Sequence, residues 1–232
     1  MTGPGGTLVV AFSEELHMRW LCTIAIVGLL SPTLFAGDEK VRTITFDKDD
    51  LGKLPRGWTA GVTGGKAEGS VWKLEEDKDA PGGPLVLCQT SKNPGSVFNV
   101  CMCDEGKYKD LDISIAFKPR EGKRDQGGGI IWRVQDKDNF YILRMNPLEN
   151  NFWLYRTVAG KRISLKRVPA KAERGKWHTM RVVMVGNKMQ CYLNDKLMIE
   201  HTDDTFKEEG KIGLWSKADA QSSFSDVKVT AK

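Results

Sequence analysis

From residue 41 onward, apolar and polar side chains alternate over short runs, and Gly, Pro, Asn or Asp closes each run. No segment past residue 36 carries an apolar stripe at helical spacing. The alternation, rich in Val, Ile, Tyr, Phe and Trp, predicts strands at 41–46, 71–76, 84–89, 97–103, 111–118, 129–135 and 139–145. It predicts seven more at 152–158, 162–168, 177–185, 188–193, 196–202, 211–216 and 222–229. Gly186-Asn187 and Asn194-Asp195 are two-residue loops of the kind that closes a tight hairpin. Many short strands and no helix predict an all-β fold, two antiparallel sheets packed as a jelly-roll sandwich. No linker or internal repeat interrupts the pattern, so 37–232 reads as a single jelly-roll domain.

The amino terminus departs from this pattern. MRWLCTIAIVGLLSPTLFA (18–36) has a basic start at Arg19, an apolar run from Trp20 to Leu30, and small Ala36 before charged GDEK. That is the layout of a secretory signal peptide, with a run too short to span a membrane. Cys22 lies inside the apolar run, which does not match a lipoprotein site. Residues 1–17 lack Lys and Arg and carry Glu14 and Glu15, so they read as an upstream extension with Met18 as the start. The expected location is periplasmic or extracellular, with no membrane span after cleavage.

Charge and cysteines narrow the options further. The chain carries a formal net charge of +5, but its basic residues are scattered among acids, as in DKDD and EEDKD. Nucleic-acid binding, which needs a dense basic patch, is not expected. Cys88, Cys101, Cys103 and Cys191 remain past the leader. They are read either as a Cys88 disulfide to Cys101 or Cys103 across a hairpin, or as four buried thiols. The C-x-C spacing without a nearby histidine is no zinc pattern.

Catalytic motifs are sparse. EEDKDA (75–80) does not place a second glutamate in the register of an E-x-D-x-(x)-E glycosidase strand. His178 and His201 lack a visible partner, and neither G-x-S-x-G nor H-E-x-x-H occurs. The strongest candidate region is NFYILRMNPLENNFWLYR (139–156). Its alternation places Phe140, Ile142 and Arg144 on one face of a strand, and the preceding strand sets Arg133 with Ile131 and Gln135. If those faces coincide, Arg133 and Arg144 project together beside Trp132, Tyr141 and Trp153, with Asn146, Glu149 and Asn150 supplied by the loop. Such a set grips sugar hydroxyls or a carboxylate through guanidinium forks and stacks sugar rings on aromatics. The alternative is a solvated NPLENN turn with arginines on an exposed sheet face. Lys217 and Asp219 join as secondary candidates after Trp215, itself either core or part of the cleft. Asp47 and Asp226, in the first and last strands, are candidate ligands for a structural Ca²⁺, with surface salt bridges as the alternative. No cofactor is otherwise required.

Three longer segments, FDKDDLGKLPRGW (46–58), GGGIIWRVQDKDNFYILRMNPLENNFWLYR (127–156) and GKIGLWSKADAQSSFSDVKV (210–229), resemble a group of exported bacterial proteins. These have a concanavalin A-like (laminin G-like, glucanase-like) jelly roll and form the 3-keto-disaccharide hydrolase domain family. Members usually show Asn-Ser-Gly-Ile, an Arg, and a Tyr-Glu-x-Gln stretch. Here Gly129-Ile130 and Arg133 match, and Glu149-Asn150-Asn151 stands where the last element is expected. The resemblance implies a carbohydrate partner, a di- or oligosaccharide, and hydrolysis of 3-keto-disaccharides or glycosides by a monomer. The 3-keto group acidifies the neighbouring C–H, so Glu149 would act as base and Arg144 as oxyanion stabiliser. The competing expectation is a non-catalytic laminin G-like adhesion module.

Overall fold

The structure is a computed structural model that describes Met1, residues 40–64 and residues 69–232. Apart from Met1, the segments read as extension (1–17) and signal peptide (18–36) lie outside the described residues. Fifteen strands and one 3-10 turn (Lys48–Asp50) follow in order. They are β1 Arg42–Ile44, β2 Trp58–Thr63, β3 Trp72–Glu76, β4 Leu85–Gln89, β5 Phe98–Cys103, β6 Leu111–Glu121, β7 Gly128–Asp136 and β8 Asn139–Asn146. Then come β9 Asn151–Val158, β10 Lys161–Pro169, β11 His178–Val185, β12 Lys188–Leu193, β13 Lys196–Thr202, β14 Lys211–Lys217 and β15 Gln221–Ala231. Among the described residues there is no α-helix, and no helix long and apolar enough to cross a membrane.

The strands form two antiparallel sheets. The first runs β13-β12-β11-β6-β15-β4-β3 with β1 added on β15, and the second runs β10-β9-β8-β7-β14-β5-β2. Each strand read from the alternation is present. The addition is β2, whose Trp58 and Ala60 pack inward while Gly61 and two threonines give the alternation little contrast. Asn194 and Asp195 both take positive φ (47° and 61°), as a two-residue type I′ hairpin turn requires.

The core lies between the sheets. Ile113, Ile115, Phe117, Met180, Val182 and Met184 of the first sheet meet Trp132, Tyr141, Leu143 and Met145 of the second. Each fully buried side chain of this kind contributes roughly 1.5–3 kcal/mol. Trp132 stacks on Tyr141 with centroids 5.5 Å apart, and its indole N–H donates to Met184 Sδ at 3.1 Å.

The chain passes from the first sheet at β4 to the second at β5. That crossing overturns the expected disulfide: Cys101 and Cys103 face the core, whereas Cys88 lies beside Ser223 Oγ at 3.2 Å on the first sheet. All four described cysteines are free and buried. Burial pushes the Cys88 thiol up to about 11, so it stays protonated and unreactive at neutral pH.

Candidate binding site on the outer face of the second sheet

The second sheet is apolar on both faces. Its outer face carries a second cluster of Phe98, Val100, Ile131, Val134, Phe140, Ile142, Tyr155 and Trp215, with Met102 and Trp153 packed against it. Register explains how the polar groups reach this floor. Arg144 stands opposite Trp153 on β9 and Gly129 on β7, and Gly129 is in turn opposite Trp215 on β14. Gly129 has no side chain to separate Arg144 from Trp215. A Cβ there would lie 1.8 Å from the Leu143 carbonyl oxygen, so the position is closed to any other residue. Trp153 stacks on Tyr155 at 4.8 Å, and Phe98 meets Trp215 at 5.5 Å. From β10, the Arg162 guanidinium lies over the rings of Tyr155 (4.3 Å), Phe98 (4.9 Å) and Trp215 (5.8 Å). Arg167 lies 4.7 Å over Trp153.

At one end of this floor Arg144 is the hub of a charge cluster. One guanidinium nitrogen donates to Asp125 Oδ2 (2.9 Å) and Glu149 Oε1 (3.0 Å). The other donates to Glu149 Oε2 (3.1 Å) and Asn151 Oδ1 (3.2 Å). Asp125 also accepts from the Gly127 N–H (2.6 Å) and Asn146 Nδ2 (3.2 Å), with Lys217 Nζ at 3.8 Å. Asp219 positions this loop, since its carboxylate accepts from the backbone N–H groups of Lys123, Arg124 and Asp125. Hydrogen bonds from Arg144, against some desolvation, pull Glu149 down to about 2. Burial pushes the Asp125 carboxyl the other way, above its usual range, despite Arg144 and the Gly127 N–H. Both Asp125 and Arg144 side chains are only 1% exposed, whereas Glu149 is 40% exposed.

The floor is also incompletely bonded. Five of its buried polar atoms lack a well-formed hydrogen bond, namely Arg144 Nε, Tyr155 Oη, Thr157 Oγ1, Arg162 Nη1 and Trp215 Nε1, with the Tyr155 hydroxyl and the Arg144 guanidinium within reach of each other. An unmade hydrogen bond at a buried group costs about 1–3 kcal/mol, and folded proteins leave few of them. Five on one face is a local concentration of such atoms. Three of the five are N–H groups that can only donate. By contrast, a cavity of about 540 Å³ on the first sheet is lined by Gln190 and Glu200, which already bond each other at 3.0 Å.

The family model for the 3-keto-alpha-glucoside-1,2-lyase-like domain matches residues 45–230. The chain belongs to that family. No curated protein matches the chain. Among solved structures, carbohydrate binding module CBM66 from Bacillus subtilis superposes with a TM-score of 0.58 at 19% identity, covering 74% of this chain and 94% of that one. Bacillus licheniformis β-glucanase gives 0.54 at 14% identity, covering 82% and 98%. A Bacillus subtilis protein described as having a galectin-like fold gives 0.51 at 13%, again covering 82% and 98%. These likenesses establish the shared jelly-roll sandwich of the concanavalin A-like kind.

Within this lyase-like domain, Arg144, Asn146, Glu149 and Lys217 do come together, Trp153 lies beside them, and Asp219 holds the loop that carries Asp125. The other expected members lie elsewhere. Trp132 and Tyr141 face the core between the sheets, with Tyr141 Oη donating to Asp203 Oδ1 at 2.7 Å. Arg133 does not share the Arg144 site. A register break after Trp132 and a φ of 45° at Arg133 re-aim its side chain. It donates instead to the carbonyls of Lys109 (2.7 Å), Phe206 (2.6 Å) and Gly186 (2.6 Å), and to Asp110 at 3.2 Å. Asn150 is exposed in the β8–β9 turn, at φ 50°, and its carbonyl accepts from Ala170 N–H. The two proposed calcium ligands each have their own cation, Asp47 with Arg56 at 2.6 Å and Asp226 with Lys228 at 2.8 Å. No group of three or more His, Cys, Asp or Glu side chains suited to a metal occurs among the described residues. Sequence reasoning passed over Asp125, Thr157 and Arg162, and did not place Tyr155. For Tyr155 the signal was available, since alternation in FWLYR puts Phe152 and Leu154 inward and Trp153 and Tyr155 outward.

Proposed function

We propose that the protein binds a carbohydrate on the outer face of the second sheet. The sugar would lie against Trp153, the partly exposed ring of the floor, with its oxygens taken by Arg162 and, once its pair with Glu149 parts, by Arg144. The observation that carries this reading is the set of five incompletely bonded polar atoms above an aromatic floor. Aromatic faces stack on apolar sugar faces, and fixed donors select among hydroxyls. Two of the similar structures, a carbohydrate binding module and a β-glucanase, put the same sandwich to work on sugars, which supports the reading. A laminin G-like adhesion surface would show a flat, uncharged face with Arg133 and Arg144 splayed apart; the two arginines do diverge, but Arg144, Arg162, Arg167 and Lys217 leave this face charged.

Family membership supports a second, finer reading: cleavage of a 3-keto-glycoside by elimination. A base removes the acidified C2 proton to give an enolate on the 3-keto oxygen, the enolate collapses to a C1–C2 double bond as the C1–O bond breaks, and the leaving sugar oxygen takes up the proton the base removed. Glu149 is a weak base for this step because Arg144 holds it near 2. Asp125, pushed up by burial, is the stronger base of the two, with Arg144 as the adjacent cation. Substrate would reach it by parting the Arg144–Glu149 pair. Export by the 18–36 leader completes the proposal, and amino-terminal sequencing of the mature protein from fractionated cells checks it.

The test of both readings is titration calorimetry and mass spectrometry of the purified protein with disaccharides and their 3-keto forms. Saturable binding is expected, with loss of any 3-keto turnover in Asp125→Asn. Binding without turnover leaves a carbohydrate-recognition protein and removes the elimination reading. Neither binding nor turnover on any sugar removes both.

A further inference from the structure

The outer face holds more positive charge than it neutralises. Its cations are Arg144, Lys217, Arg162 and Arg167, and its carboxylates are Asp125 and Glu149. Both carboxylates are engaged by Arg144, and Asp125 is shared at longer range with Lys217. The Arg162 side chain has no ion pair and no hydrogen bond. Its contacts are the three rings beneath it, and Nη1 is buried and unbonded. Burial also lowers its pKa, with repulsion from Arg144 adding to the shift and Tyr155, Asp125 and Glu149 offsetting only part of it.

A guanidinium stacked on aromatic faces still has its N–H groups to offer, and these form a planar fork matched to a carboxylate or sulfate. Arg162 is half-buried, and a partly desolvated cation without a salt-bridge partner is costly, a cost that an arriving anion reduces. We infer that the sugar recognised on this face carries an anionic substituent, a carboxylate as in a hexuronic acid or an O-sulfate, and that Arg162 receives it. This rests on the outer face being the carbohydrate site. Lys217 and Arg167 flank the same floor and would add attraction for an acidic oligosaccharide, whereas a neutral sugar leaves the Arg162 charge unanswered.

The experiment is calorimetric titration of the full protein and its Arg162→Gln and Arg162→Lys variants. The probes are matched α- and β-linked gluco-configured disaccharides in three forms: neutral, with glucuronic acid replacing one glucose, and 6-O-sulfated. Thermal melting of each variant verifies that it is folded. In the wild type, one acidic form should bind about tenfold or more tighter than its neutral counterpart, the effect of one charge-assisted bidentate contact. That ratio should fall toward one in Arg162→Gln and be partly kept in Arg162→Lys. The carboxylate and sulfate arms identify which anion is received. Equal binding of neutral and acidic forms overturns the inference and leaves the carbohydrate site standing. An acidic preference that persists in folded Arg162→Gln overturns the assignment to Arg162. Absence of binding by every form overturns the inference together with the site.

Discussion

Arg133 and Arg144 are both buried on neighbouring strands of one sheet, yet they do different work. Arg133 spends its donors on three backbone carbonyls from separate loops and on one aspartate, so its guanidinium ties loops together. Arg144 bonds only side chains, two of them carboxylates, and keeps Nε without a partner. Backbone carbonyls cannot leave, whereas side chains can rotate to admit something new. The identity of the acceptors therefore separates a structural arginine from one available to a ligand, where burial alone does not.

The contrast can be broken most directly at Arg133. Arg133→Met strands three carbonyls and should cost roughly 2–5 kcal/mol of stability. Urea unfolding measures it, and a loss below about 1 kcal/mol would show that the loops hold without the tie. Next in size, Arg144→Lys keeps a charge near Asp125 but loses the fork. Sugar affinity should drop about tenfold or more in calorimetry while the protein stays folded. If Arg144→Lys unfolds the domain and Arg133→Met does not, the two roles are reversed. The smallest effect concerns pH. Glu149 falls from its usual 4.5 to about 2 in the fold, so its contribution to stability is present above pH 4.5 and lost as pH drops toward 2. With the side chain 40% exposed, solvent screening holds this to about 1 kcal/mol or less. Comparing urea midpoints of wild type and Glu149→Gln at about pH 5 and about pH 3 isolates it, and the gap between them should narrow at the lower pH.

The same two arginines show what the sequence could reveal. The sandwich was legible because alternation and turn residues act locally, and β8 was read with its correct faces. The face of Arg133 was misread because alternation assumes a regular strand. The bulge there accompanies a close approach of Gly210, where a Cβ would come within 2.4 Å of the Arg133 carbonyl carbon. That packing joins segments far apart in the chain and leaves no periodic trace. Asp125 was hidden for a similar reason, since the loop around it is held by Asp219, 94 residues away. Arg162 sits in a strand whose charged residues mask any alternation, and only the sheet order brings it over the Tyr155, Phe98 and Trp215 rings.

The pairing of the first strand with the last has a mechanical consequence. Arg42 lies opposite Val229 and Ile44 opposite Val227, so β1 enters the fold at the same end from which β15 leaves. Tension applied between residue 41 and residue 232 would open that ladder like a zipper, one rung at a time, because antiparallel hydrogen bonds loaded from one end do not share the force. Only three residue pairs hold β1 to β15, while β15 is joined to β6 over nine. A pull on the two ends should therefore release β1 at low force and leave the sandwich and its outer face intact behind it.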